Sequence, residues 1–206
     1  KNLSGTYLFI QNKTNGYLLN TSGSFVSMTN FPTGPFVSGA VFLDTYIFIA
    51  DTSNKIWNCN VGDPTTWDPL GYITFEQTQD TLVGIAKHLN YLIAFKQWTT
   101  EFFYDNANAV GSVLSPNSTA TLEIGCASGN SIQQFEETVI WMSTSKEGGR
   151  TISLLEGLKP ITISKKSIEE FLNASDLSHV YSWAYKISGH TFYGLVLTDQ
   201  NVTLVY

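Results

Sequence analysis

The chain has 206 residues, 43% of them hydrophobic, 14% aromatic and only 14% charged, with a net charge of −6. A charged fraction so far below the usual quarter fits a surface covered by other subunits, and equally a chain whose polar residues are mostly Ser, Thr and Asn. The largest basic cluster is Lys165-Lys166, which argues against a grip on nucleic-acid phosphate, and no apolar run is long enough to span a bilayer.

Strands are expected almost throughout. Thr6–Gln11 and Tyr17–Asn20 flank Asn12-Lys13-Thr14-Asn15-Gly16, a hairpin turn in which Asn-Gly supplies positive φ cheaply. Gly23–Gly39 reads as a connector anchored by Phe25, Phe31 and Phe36. Residues 40–60, AVFLDTYIFIADTSNKIWNCN, form a unit of apolar strand, polar turn, very apolar strand, polar turn and mixed strand. DPTTWDP, Asp63–Pro69, is expected to be a rigid loop. Its prolines fix φ, and Asp63 and Asp68 can accept hydrogen bonds from the amides that follow them. Gly71–Glu76 returns as a strand.

The same unit recurs at 82–105, 131–157 and 179–206. With Ile47, Ile93, Ile140 and Tyr193 in register, the spacings are 46, 47 and 53 residues. A period of about 40–50 residues with several strands per repeat is the signature of propeller blades. The fold class is therefore all-β, a β-propeller with about four blade-like repeats and a partial one. The segment 105–116 is expected as a long turn and Ala120–Cys126 as a strand. One helical insertion is expected at about 165–173, with Ser167 as cap and Glu170 closing a capping box, or Ser164 as the cap. The chain begins without Met and stops in mid-strand. An open ring exposes sheet faces, so either a fragment of a larger propeller or a small propeller closed by its N-terminal hairpin is expected.

The motifs DPTTWD, LVGIA, LIAF, TTEFFYDN, LEIGCAS and VIW, spread from about Phe36 to Ile163, resemble the packaged-DNA stabilisation proteins of short-tailed bacteriophages, tail-hub or nozzle components. The residues that carry the resemblance are Asp63, Pro64, Thr65, Thr66, Trp67 and Asp68, then Thr100, Glu101, Phe102, Phe103 and Tyr104, then Gly125 and Cys126. The resemblance implies a propeller-based subunit of a homo-oligomeric ring in the virion tail. That ring closes the head-to-tail channel after DNA packaging and opens for DNA ejection. It also implies a portal adaptor, a tail needle and tail spikes or fibres as partners, with DNA only as cargo and no membrane. It brings no catalytic residue and no cofactor.

The residues themselves offer little chemistry. His88, His179 and His190 lack metal-ligand spacing and stand beside expected turns, where a solvated His is the plain reading. Cys59 and Cys126 are read as two buried, reduced thiols. Asp105–Gly111 lacks the alternating oxygens of a calcium loop. Thr66-Trp67 lacks the Ser, Asp and Gly of a sialidase Asp-box. Asp44, Glu76, Glu101 and Glu123 are carboxylates that glycoside hydrolysis could use only in pairs at a set separation. Trp57, Trp67, Trp98, Trp141 and Trp183 suit core packing or subunit contact, or stacking on sugars. A carbohydrate-binding or sialidase-like propeller is thus the alternative function. The sequons at Asn2, Asn12, Asn20, Asn117, Asn173 and Asn201 leave a glycosylated ectodomain with a Cys59–Cys126 disulfide as a third reading; roughly three sequons are expected by chance.

Overall fold

A computed structural model describes residues 6–75, 80–135 and 138–206. Five antiparallel sheets follow one another along the chain. The first holds β1 (Tyr7–Gln11), β2 (Gly16–Asn20) and β3 (Phe25–Val26). The second holds β4 (Phe36–Leu43), β5 (Tyr46–Asp51), β6 (Lys55–Asn60) and β7 (Asp63–Thr74). The third holds β8 (Leu82–His88), β9 (Tyr91–Lys96), β10 (Thr100–Asp105) and β11 (Leu114–Pro116). In the fourth, β12 (Gly125–Cys126) and β13 (Gln133–Phe135) pair with opposite ends of β14 (Thr138–Thr144), followed by β15 (Thr151–Glu156) and β16 (Lys159–Thr162). The fifth holds β17 (Val180–Ile187), β18 (His190–Leu197) and β19 (Val202–Val205).

Side chains of a strand alternate between faces, and here both faces of each middle sheet are covered. In β5, Ile47 and Ile49 pack toward the first sheet while Phe48 and Ala50 pack toward the third. In β9, Leu92 and Ala94 face the second sheet, and Ile93 and Phe95 face the fourth. In β14, Val139 and Trp141 face the third, and Ile140 and Met142 face the fifth. This is why these strands read as unbroken apolar runs rather than alternating ones. The sheets stack like blades, with β4 and β8 touching as parallel neighbours at Ser38 and Gly84.

Several local expectations need correction. DPTTWDP is not a loop but the first half of β7, an edge strand of its sheet. Proline is tolerated there because no further strand needs its missing N–H. Register shifts beside Cys59 accommodate the extra residues. Asp63 and Asp68 do accept the amides of Thr65 and Leu70, at 2.9 and 2.8 Å. Leu114–Pro116, within the expected long turn, pairs with β10. Of Ala120–Cys126 only Gly125–Cys126 is strand, preceded by a single bridge between Thr100 and Leu122.

The helix α1 spans Lys166–Ala174, with Lys165 at its N-cap position and no side chain capping it. Ser167 lies inside the helix. Ser164 instead donates to Glu169 Oε1 at 2.9 Å and accepts from the Ile152 amide at 3.1 Å, tying the helix start to β15. At the other end Arg150 Nη1 donates to the carbonyls of Leu172 and Ser175, satisfying helix-end acceptors that have no internal partner. Leu172 is the helix residue buried against the fifth sheet. Glu76 and Asn2 lie outside the described residues.

One ion pair lies in the core. Lys96 Nζ stands 2.5 Å from Glu101 Oε1, both side chains are almost fully buried, and the ammonium sits over the Phe75 ring. Removing one partner of a buried pair takes away a compensating charge in a low-dielectric interior, at a cost of about 3–5 kcal/mol. Lys96→Met or Glu101→Leu alone is expected to lower the guanidinium midpoint by that order. The double variant is expected to recover most of the loss. Single variants that unfold at the wild-type midpoint would show that the pair is solvated.

Candidate functional site

The inner strands β4, β8, β12–β13 and β17 converge on one short turn. The inner strand of the fourth sheet is broken between β12 and β13 by a 3-10 turn, Gly129–Ser131. That turn is pushed against the two earlier inner strands. A Cβ at Gly129 would lie 2.6 Å from the Val83 carbonyl oxygen and 2.7 Å from Ser38 Oγ. A Cβ at Gly84 would lie 2.6 Å from Ile132 Cδ1. Gly129 needs glycine for close approach to backbone rather than for backbone freedom, whereas at Gly84 the close atom is the movable end of Ile132 and the nearest backbone atom, the Ser38 carbonyl oxygen, stands at 3.0 Å.

Hydrogen bonds fix the turn from all sides. Ser38 Oγ donates to Asn130 Oδ1 at 3.3 Å, and Ser182 Oγ donates to the Asn130 carbonyl at 2.6 Å. Gln133 Nε2 donates to Ser182, and the Tyr193 hydroxyl donates to the Ser131 carbonyl at 2.8 Å. Trp141 Nε1 donates to the Gly125 carbonyl at 3.0 Å. Ser131 Oγ accepts from the Met142 amide and donates to the Ser128 carbonyl. Backbone carbonyls of an irregular segment in the interior must find donors, and these side chains supply them. The second, fourth and fifth sheets are thereby tied together at one point, and the third meets them there by the close approach of Val83 to Gly129. Beside it runs an open cleft of about 800 Å³, lined by Gln11, Lys13, Phe36, Ser38, Asn130 and Ser178.

The residues singled out in the sequence fall into two groups. Thr100–Tyr104 form β10, and Gly125 and Cys126 form β12; the two are neighbours. Thr100 Oγ1 donates to the Ile124 carbonyl at 2.7 Å, and Thr100 and Leu122 exchange backbone hydrogen bonds. Phe102 and Phe103 are buried on opposite sides of the third sheet, Glu101 is held by Lys96, and Tyr104 is part-exposed. Asp63–Asp68 lie elsewhere, at the outer edge of the second sheet. There Thr65 and Trp67 exchange backbone hydrogen bonds with Thr29, and the Trp67 ring meets Phe31 edge-on at 5.1 Å. Pro64 receives the Trp67 Nε1 hydrogen bond and Thr66 bridges Thr29. This motif therefore clamps the connector between the first and second sheets. Donation from the Thr65 hydroxyl holds the Asp63 carboxyl below the usual carboxylate range.

His88 is not solvated. It is buried at the end of β8, its Nε2 2.6 Å from the Gly157 carbonyl. Its side chain falls on the same face of β8 as Ala86, the face turned to the fourth sheet, and Leu89 makes the turn to β9 with a φ of 53°. His179 and His190 are exposed. Asp44 is exposed in the β4–β5 turn and Glu123 is exposed ahead of β12. Asp105 accepts the Ala107 amide, as a turn residue does. Among the described residues no group of three His, Cys, Asp or Glu could hold a metal ion. Asn12, Asn20 and Asn117 use their side-chain oxygens to accept amides of their own turns. Trp67 and Trp141 are core residues, Trp57 and Trp98 are half-buried, and Trp183 is exposed. The knot at Asn130, Ser131 and Ser182 was not singled out in advance, since its donors are distant in sequence and only GCASGN marked the place.

Cys59 and Cys126 are free and buried, and burial pushes their thiols up to about 11 and about 12. A raised thiol value adds stability that is complete below the ordinary value near 9 and is lost as pH rises through 11 to 12. The native protein is expected to give no thiol reaction at pH 8 and two after denaturation, and to unfold more readily above pH 9; a fast-labelling native thiol would contradict this. Gly129→Val is expected to cost about 1–3 kcal/mol through overpacking, read by thermal unfolding.

A family model described as Phage_stabilise, the beta-propeller of bacteriophage P22 Gp10, matches residues 2–206. A search of curated protein sequences returns no match. Among solved structures, the computationally designed protein Ika8 is similar in fold, with a TM-score of 0.52 at 11% identity, covering 97% of this chain and 57% of that one. Two others are the designed protein Ika4, with a TM-score of 0.49 at 12% identity over 89% of this chain and 98% of that one, and BamB from Moraxella catarrhalis, with a TM-score of 0.48 at 9% identity. The chain covers 62% of that BamB chain.

Proposed function

We propose, from the premise that this chain belongs to the phage stabilisation family of β-propellers, that it is a subunit of the tail hub of a short-tailed phage. In this reading copies of it form a ring that closes the head-to-tail channel and retains the packaged DNA until ejection. The portal adaptor, the tail needle and the tail spikes or fibres are its partners, and its role is structural rather than enzymatic.

The observation that carries the reading furthest, beyond the family itself, is the size of the opening at the centre. Where the inner strands converge beside Gly129 and Asn130 the cleft holds about 800 Å³, far too little room for a duplex whose major groove alone is about 12 Å wide. A passage for DNA then has to lie between copies rather than through the middle of one, and that requires a ring. The net charge of −6 suits such a wall, because like charge repels phosphate and keeps the passing duplex from adhering.

Imaging by negative stain, of the protein alone and mixed with the portal–adaptor complex of its phage, tests this directly. A ring capping the portal is expected. Particles that leave the portal bare would overturn the assignment and favour a carbohydrate-binding module. Replacing channel-facing carboxylates by Lys is expected to slow DNA ejection in a manner relieved by salt; unchanged ejection would remove the charge argument.

A further inference from the structure

Of the three histidines, only His88 is buried, at 2% exposure. It closes β8 on the face that carries Ala86 and meets the fourth sheet. Its Nε2 stands 2.6 Å from the carbonyl oxygen of Gly157, in the turn between β15 and β16. A carbonyl oxygen only accepts, so Nε2 carries a proton. In the neutral ring Nδ1 is then bare, and it is buried with no hydrogen-bond partner. The contact bridges 69 positions of sequence and ties the third sheet to the fourth.

Few groups in the elements around this ring carry a charge or a proton to lose. From β9 the register partner is Tyr91, which belongs with Leu158 to the apolar core between the two sheets. Glu156 and Lys159 flank the Gly157 turn, stand opposite each other in register and are exposed. Among the described residues β13 and β14 bring no titratable group. Lys87 takes the alternate face of β8, where β4 and β5 pack through Val41, Phe48 and Ile85. A second proton on the ring would place an N–H at Nδ1 with no acceptor, and a charge whose nearest carboxylate in sequence and register is already opposite a lysine. Burying an unpaired charge costs far more than burying a bare acceptor.

We propose that His88 is an acid-sensitive latch: with Nδ1 bare it holds the Gly157 turn against β8, and with a solvent proton on Nδ1 it lets that turn go and loosens the junction between the third and fourth sheets. The other junctions are built differently. Their side-chain hydrogen bonds come from Gln11, Ser38, Ser112, Ser182 and Tyr193, groups whose charge does not change between pH 5 and 8, the range in which imidazole does change. Acid therefore acts on one junction of the stack and leaves the ties of the others in place. The latch is a property of the single chain and does not depend on what the chain assembles with.

Hydrogen exchange of the β15–β16 hairpin amides, corrected for the intrinsic effect of pH, tests the latch on the folded chain. A closed junction that excludes the second proton, and an open one that takes it up near the ordinary imidazole value of about 6.5, differ so that opening is favoured about tenfold more at pH 5.5 than at pH 7.5. The wild-type hairpin is expected to lose protection by that factor. His88→Gln keeps an N–H for the Gly157 carbonyl and takes up no proton; its hairpin is expected to exchange equally at both pH values, with circular dichroism to verify folding. Imidazole NMR of the wild type gives a readout that needs no variant: proton uptake at Nδ1 is expected to coincide with the loss of protection. A wild-type hairpin whose protection ignores pH overturns the proposal. So does a variant that opens in acid as the wild type does, and so does a ring that takes its second proton while the hairpin stays protected.

Discussion

Burial on both faces of the central strands is the constraint on which the rest of this structure depends. Each of β5, β9 and β14 sends alternate side chains into two different cores, so no middle sheet has a solvent face and none can be removed without exposing two others. A buried aliphatic or aromatic side chain contributes about 1.5–3 kcal/mol, and the four cores hold most of the chain's large apolar residues. Polar groups inside this stack must be paired. The Lys96–Glu101 pair and the carbonyls of the Gly125–Ser131 segment are handled in that way.

The same constraint leads from fold to function. Sheets that converge on a common line bring their inner strands close, and at the tightest place the fourth sheet gives up regular pairing. The Gly125–Ser131 segment trades strand hydrogen bonds for side-chain donors from three sheets: Ser38 of the second, Trp141 of the fourth, and Ser182 and Tyr193 of the fifth. The open cleft beside it holds about 800 Å³, and the rest of what a partner could meet is the outer surface of the sheets and turns.

Those surfaces are unequal in kind. The turns are dressed with Asn, Asp and Ser whose side chains satisfy their own backbones, as at Asn20, Asp176 and Asn117. The ends of the stack carry Tyr, Trp, Phe and Ile instead. Large contiguous apolar patches mark contact sites, and aromatic residues are the type enriched where proteins meet.

The repeat of apolar strands about 46 residues apart was legible in the sequence, because double-sided burial writes itself as runs such as Leu92–Phe95 and Val139–Met142. So were the tight turns, at Asn54 and at Ser188-Gly189, where positive φ demands particular residues. The motif residues were visible as motifs, but not what they do: Trp67 holds a connector from the edge of a sheet, and Thr100 holds the segment leading to Gly125. Local pattern could not reveal that DPTTWDP would be a bulged edge strand, since its prolines are permitted only because the one neighbour on that side, Thr29, bonds to Thr65 and Trp67 and asks for no proline N–H. It could not place His88 inside, since the cover at that end of β8 comes from the Gly157 turn, 69 residues away in the chain. The helix start at Lys165 rather than Ser167 was likewise decided by Ser164 being drawn to β15. Sequence alone thus determined the class of fold and the alternation of faces, which follow from burial along one strand. Tertiary structure decided where the inner strands meet, which glycines are needed there and which faces stay open, because each depends on neighbours far away in the chain.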